Sequence, residues 1–251
     1  MGEGNDQSGI GEALAEVDRF ASTLDAEAAR YWSLHRKRFA WLAEFSCRTA
    51  PESSDYRLLD VGNSFQTVLL KALLPYSQVD TLGFYDHRFS AGEGSRHIEM
   101  DLNDAYYPEK WPSPEGDGYD LIVFAEVIEH LYTSPEQVLN CLKQLLRPGG
   151  RILVQTPNAA ALKKRLRLLS GRNPYELIRL DRGNPGHFRE LTVADLKRYA
   201  LGCGLQVEGL WLDSNLVDGK RFDRVCDRIS RWLPGRWRGG ISMSLQLGSA
   251  E

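Results

Sequence analysis

Hydrophobic positions in the first 46 residues recur at helical spacing. Leu14, Val17 and Phe20 form one stripe, and a second segment carries Trp32, Phe39, Trp41 and Phe45. The run TAPESSD at 49–55 breaks that pattern, and short β-rich stretches then alternate with helical ones. Segments 57–61, 79–85, 97–100, 120–124 and 151–155 read as strands, and 205–212 with 241–247 as a closing hairpin. Between them, Ser134 is expected to cap a helix whose first turn suits Pro135 and which Pro148-Gly149-Gly150 is expected to stop, and Thr192 caps a helix ending at Gly202. Such alternation predicts an α/β fold, a mostly parallel sheet with helices on both faces.

Composition changes this picture little. With 251 residues, 42% hydrophobic and 26% charged, the chain has enough apolar side chains to fill the core of one large domain. Cys47, Cys141, Cys203 and Cys226 lie too far apart for a zinc site and read as inert thiols, and nothing resembles a leader or a membrane span, so a cytoplasmic protein is expected. Charge is unevenly distributed. Residues 161–251 hold 17 Lys+Arg against 10 Asp+Glu, while residues 1–160 hold 14 against 24. A basic last third suits an anionic partner or equally a solvated surface.

In an open α/β sheet, ligands bind beyond the carboxyl ends of the strands. Leu58-Leu59-Asp60-Val61-Gly62-Asn63-Ser64 stands at the first such end; Asp86 follows the second strand, Asp101 and Leu102 the third; the fourth runs into Glu126-Val127-Ile128-Glu129-His130. The segments LLDVGNSFQ, YDLIVFAEVIEHL, LLRPGGRILVQTPN and GHFRELTVADL, in that order, resemble class I S-adenosylmethionine-dependent methyltransferases over about residues 55–212.

The resemblance implies a Rossmann-like fold: a seven-stranded sheet with an antiparallel last strand, a helical segment over 1–54, a core over 55–251 and a lid over about 159–190. It also implies that S-adenosylmethionine is bound by Asp60, Gly62, Asn63 and Ser64, with Asp86 on the ribose, Asp101 and Leu102 beside adenine, and Glu126 nearby. One departure is plain. Ser64 and Gln66 stand where that family usually has further glycines, and a Cβ there is expected to crowd the cofactor or forbid a positive φ. A non-catalytic, scaffold-like relative therefore stays open beside an enzyme.

Glu126, Glu129 and His130 have i, i+3, i+4 spacing, and would share a face if helical. They resemble the cation ligands of quinone-pathway O-methyltransferases, which implies Mg2+; with no metal, His130 serves as base. His187, before the helix at 192–201, is a second candidate base, with Asn184, Pro185 and Gly186 supplying a lid turn. The acceptor expected is a small molecule, sugar or lipid-linked compound methylated on oxygen. Basic amphipathic segments around Lys163, Lys164, Arg165 and Arg167, and around Arg221, Arg224, Arg228 and Arg231, suit an anionic acceptor or a membrane surface, or lie solvated. Nucleic acid is not expected, since the Asn/Asp-Pro-Pro-aromatic motif of DNA amino-methylating enzymes is replaced by AEVIEH.

Overall fold

The protein was analysed as a computed structural model that describes residues 3–50, 55–90, 92, 94–114, 116–180, 186–213 and 221–247. The chain divides into two compact units, residues 1–99 and 100–251.

The first unit begins with α1 (Glu3–Ser22) and α2 (Ala26–Thr49), the second capped by Asp25, whose side chain accepts from Ala28 N. Their apolar stripes close on each other and on α3 (Phe65–Leu73): Val17, Trp32, Phe39, Phe65, Leu69 and Phe89 form one aromatic-rich core. Trp32 stacks on Phe39 at 4.9 Å between ring centres, and Phe65 meets Phe89 edge-on at 5.0 Å. Beside them, β1 (Arg57–Val61), β2 (Gln78–Gly83) and β3 (His97–Glu99) pair in parallel in the order β3-β2-β1, with Asp60 opposite Thr81. Leu58, Leu59, Val61 and Leu82 are fully buried, as a parallel strand covered on both faces requires.

In the second unit, β4 (Tyr119–Ala125) and β5 (Leu146–Pro157) run parallel. β7 (Gly240–Leu247) lies antiparallel between β5 and β6 (Leu205–Asp213). α4 (Pro135–Lys143) and α6 (Val193–Gly202) pack through Val138, Leu139, Leu142 and Leu196, while α5 (Leu162–Leu169) packs on α7 (Arg221–Ser230). Thr192 caps α6 by accepting from Asp195 N, and Asp195 in return accepts from Thr192 N. The strands form a mixed seven-stranded sheet with β7 as its antiparallel strand, as expected.

Two local expectations fail. Pro148-Gly149-Gly150 does not end a helix; α4 stops at Lys143, and these residues lie within β5, which starts at Leu146. Ser134 makes no side-chain cap, so the first turn of α4 is set by Pro135. All four cysteines are free, and burial pushes the Cys141 thiol up to about 12, so it is inert at neutral pH. No helix among the described residues is long and apolar enough to cross a membrane.

Candidate active site

In the first unit, the chain leaves β1 through Gly62 at φ 81°, a conformation glycine adopts without strain, and Gly62 N donates to Leu82 O at 2.8 Å. Asn63 then bridges two strand ends. Its Nδ2 donates to Asp86 O (2.8 Å), and its Oδ1 accepts from Asp86 N (3.1 Å). Ser64 caps α3 at φ −160°, an extended conformation open to any residue, and its N–H donates to Thr67 Oγ1 (2.9 Å). The expected conflict with a positive φ does not arise, because no left-handed residue is needed at Ser64, and Gln66 turns its buried side chain back onto Asp60.

Asp60 is fully buried and accepts from Gln66 Nε2 and Thr67 Oγ1. Burial raises its pKa to about 7, against the pull of those two donors and of the Arg38 charge. Arg38 is a candidate that sequence reasoning missed. Its guanidinium, on α2, is buried 4.5 Å over the Phe39 ring, with Nη2 donating to Tyr31 Oη at 3.2 Å. Its Nε and Nη1 find no hydrogen-bond partner among the described residues. A buried cation with donors unused is costly unless an anion completes it. Asp86, by contrast, is already engaged: Arg88 clamps its carboxylate (Nη2 to Oδ2 2.7 Å) and holds its pKa below the usual carboxylate range.

In the second unit, Asp101 starts a 3-10 turn over Leu102–Tyr106 by accepting from Asn103 N (2.9 Å) and Nδ2 (3.0 Å), and Leu102 is buried. After β4, Glu126 sits at φ 56°, the one described residue other than glycine with positive φ. Such a conformation costs about 1 kcal/mol or more and marks a turn held by its surroundings; here Glu126 N donates to Gln155 O at 2.8 Å. A 3-10 turn over Ile128–His130 follows, so the EVIEH run is not one helix face.

That turn docks on the segment before α6. Glu129 O accepts from Phe188 N (2.8 Å) and Arg189 N (3.2 Å), and the buried Glu129 carboxylate accepts from Thr156 Oγ1 (3.0 Å). The His130 and His187 rings meet edge-on at 4.7 Å. His130 Nδ1 lies 3.0 Å from Gly186 O, which can only accept, so Nδ1 carries the proton. His187 Nδ1 lies 3.2 Å from Glu190 Oε1. In both rings this leaves the Nε2 lone pair as the working atom. Burial lowers the pKa of both; for His187, burial and then the neighbouring His130 bring it to about 4. Glu190 does not reverse this, because buried Lys164 pairs with it and neutralises its charge. Lys164, expected on a basic outer face, is thus an internal counter-ion. Beside His187 lies a cavity of ≈ 340 Å³ lined by Tyr175, Glu176, Ile178, Phe188 and Arg189, within the size range of small-molecule sites.

Comparison with known proteins decides the family. A family model described as "Methyltransferase domain" matches residues 31–210, well over half of the chain. The chain belongs to this methyltransferase family. A probable S-adenosylmethionine-dependent methyltransferase from Mycolicibacterium smegmatis is 33% identical over 124 residues, 49% of this chain and 42% of that protein. A ubiquinone biosynthesis O-methyltransferase from Aeromonas salmonicida is 31% identical over 102 residues, 41% of this chain and 42% of that protein. The chain spans about two fifths of the length of these curated relatives. A solved S-adenosylmethionine-dependent methyltransferase from Archaeoglobus fulgidus shares the fold, with a TM-score of 0.54 at 14% identity, covering 88% of this chain and 99% of that one.

Within this methyltransferase fold, Glu129 and His130 are joined by His187 and not by Glu126: ligand atoms of these three lie within 4.8 Å of one another. One carboxylate with two imidazoles is a donor set for a transition-metal dication, whereas Mg2+ selects oxygen ligands, so these residues do not fit the Mg2+ expected. For S-adenosylmethionine the fit is better. The incomplete shell of Arg38 is complementary to the carboxylate of its methionine part. The turn residues Asn184 and Pro185 lie outside the described residues, while Gly186 takes φ 88°.

Proposed function

We propose that this chain transfers a methyl group from S-adenosylmethionine to an acidic hydroxyl, of phenol type, on a small or lipid-linked acceptor. The observation that carries this reading is the pair of half-buried, neutral imidazoles, His130 and His187, that meet edge-on, with His187 at the wall of a cavity lined by Tyr175, Ile178 and Phe188. When bound, the cofactor supplies a methyl group on a sulfonium, an electrophile that needs no activation.

What the chain must do is hold the acceptor in line and take its proton. Arg38 pairs with the cofactor carboxylate, and the Gly62–Ser64 turn leaves backbone N–H groups for its amino-acid end. Asp86 keeps acceptor capacity for a ribose hydroxyl beside its Arg88 contacts. Glu126 braces the strand end.

His187 then fixes which oxygen can react. Moving a proton from a phenol of pKa about 10 to a group of pKa about 4 costs roughly 8 kcal/mol. From an aliphatic alcohol, near the roughly 15.7 of water, the same step costs about 16 kcal/mol. Turnover near 10 s−1 allows a total barrier of about 16 kcal/mol. An alcohol would use all of it, whereas a phenol leaves half for methyl transfer, so a sugar hydroxyl is disfavoured. The likeness to a ubiquinone biosynthesis O-methyltransferase supports the same choice, and Arg189 in the cavity wall suits an anionic group on the acceptor.

The test is methyl transfer from labelled cofactor to a panel of catechols, phenols and aliphatic alcohols. Transfer to phenols, insensitive to chelators, is expected. Transfer that a chelator abolishes and a transition dication restores would favour a metal held by Glu129, His130 and His187. Failure to bind the cofactor at millimolar concentration would turn the reading to a scaffold.

A further inference from the structure

Helix α7 is built inside out. Its polar residues Asp223 and Ser230, with Cys226 between them, are buried on the side of α5, where Arg167 Nη2 donates to Asp223 Oδ1 at 3.1 Å. Its apolar residues face away: Phe222 is 46% exposed, Val225 56% and Ile229 48%, with Trp232 just past the helix end at 90%. At 100° per residue these four fall within an arc of about 80°. Arg221, Arg224, Arg228 and Arg231 occupy the neighbouring arc and are exposed. The exposed Leu168 and Leu169 of α5, the helix on which α7 packs, add to the apolar surface.

We propose that the outer face of α7 docks on an anionic lipid bilayer, lying in the headgroup plane with Phe222, Val225, Ile229 and Trp232 in the acyl boundary and the arginines among the headgroup phosphates. Two observations select this occupant. The helix could bury its apolar stripe by a half-turn about its axis, yet Asp223, Cys226 and Ser230 hold that place, so the stripe is committed to something outside the described fold. A second copy packed antiparallel would set the two rows of four arginines against each other, and the acidic residues Asp223 and Asp227 face inward, so α7 offers those arginines no acidic rim on a partner copy. Neighbouring apolar and cationic stripes match a membrane interface with negative charge. The proposal rests on this surface alone and is independent of the reaction assigned above.

Co-sedimentation tests it, using phosphatidylcholine vesicles with or without about 30 mol% phosphatidylglycerol. The whole chain should pellet with the anionic vesicles and remain in solution with the neutral ones, with binding weakened at high salt. A Phe222→Ser, Val225→Ser, Ile229→Ser variant and an Arg221→Glu, Arg224→Glu, Arg228→Glu variant should each lose about tenfold or more in partitioning. These positions are exposed, so unchanged far-UV circular dichroism certifies the fold. Absence of pelleting with anionic vesicles overturns the proposal, as does equal pelleting by both variants. A dimer of the wild type that the serine variant dissociates overturns it in favour of self-association.

Discussion

Asp60 shows how a motif residue can work against the fold it sits in. Its folded pKa, about 7, stands above the ordinary 3.8, so the folded state holds the proton more tightly than the unfolded one. The stability this contributes is complete below about 3.8 and is lost as pH rises through 7, about 4 kcal/mol in all. Asp60→Asn, neutral at every pH, should therefore flatten the stability profile between pH 4 and 8 in urea melts of the cofactor-free protein; an unchanged slope would contradict the cause assigned to the shift. His187→Ala should lower turnover on a phenol about a hundredfold with little change in cofactor affinity, and full turnover would remove His187 from the mechanism. Asp60 and Gly62 were legible because a strand end followed by glycine is a local signal. Arg38 was not: in the run HRKR it looks like any solvated helix cation, and only the packing of α1 to α3 reveals that it is buried. The meeting of His130 with His187 was equally hidden, because contact across 57 positions is a property of the tertiary fold.

At the scale of elements, strand patterning was read well and turn chemistry less so. The first strand was placed residue for residue at Arg57–Val61, since a short run around Leu58, Leu59 and Val61 bounded by the TAPESSD break and by Gly62 has one reading. Pro-Gly-Gly at 148–150 was misread, because a helix stop and a bent strand entry use the same residues. Of the two expectations for the glycine-poor loop, the forbidden positive φ does not apply, because the penalty on a side chain depends on φ and Ser64 is extended. This yields a test of whether the loop is degenerate. Ser64→Gly should cost a few tenths of a kcal/mol through loss of its cap and leave cofactor affinity within about twofold. A tenfold tightening would mean that Ser64 crowds the cofactor after all.

For the molecule as a whole, the decisive question is whether the cofactor-free fold stores a cost that the cofactor removes. Arg38 is such a cost if its open donors await a carboxylate. A ligand that binds only the folded state adds about 2.7 kcal/mol at a hundred times its Kd. At about 2–4 °C per kcal/mol for a chain of this size, S-adenosylhomocysteine, which keeps the same carboxylate, should raise Tm by roughly 5–11 °C. Arg38→Met separates storage of that cost from ordinary packing. It keeps apolar contact with the Phe39 ring but removes the buried charge, so Tm without ligand should rise. Loss of a charge-assisted hydrogen bond worth about 1.5–3 kcal/mol should at the same time weaken the ligand by one to two orders of magnitude, and the ligand-induced shift should fall to about half or less at the same concentration. The two changes have opposite signs, which simple damage to the core cannot produce. A variant that melts lower without ligand yet keeps the full shift with it would show that Arg38 serves the helical packing and that the cofactor carboxylate is held elsewhere.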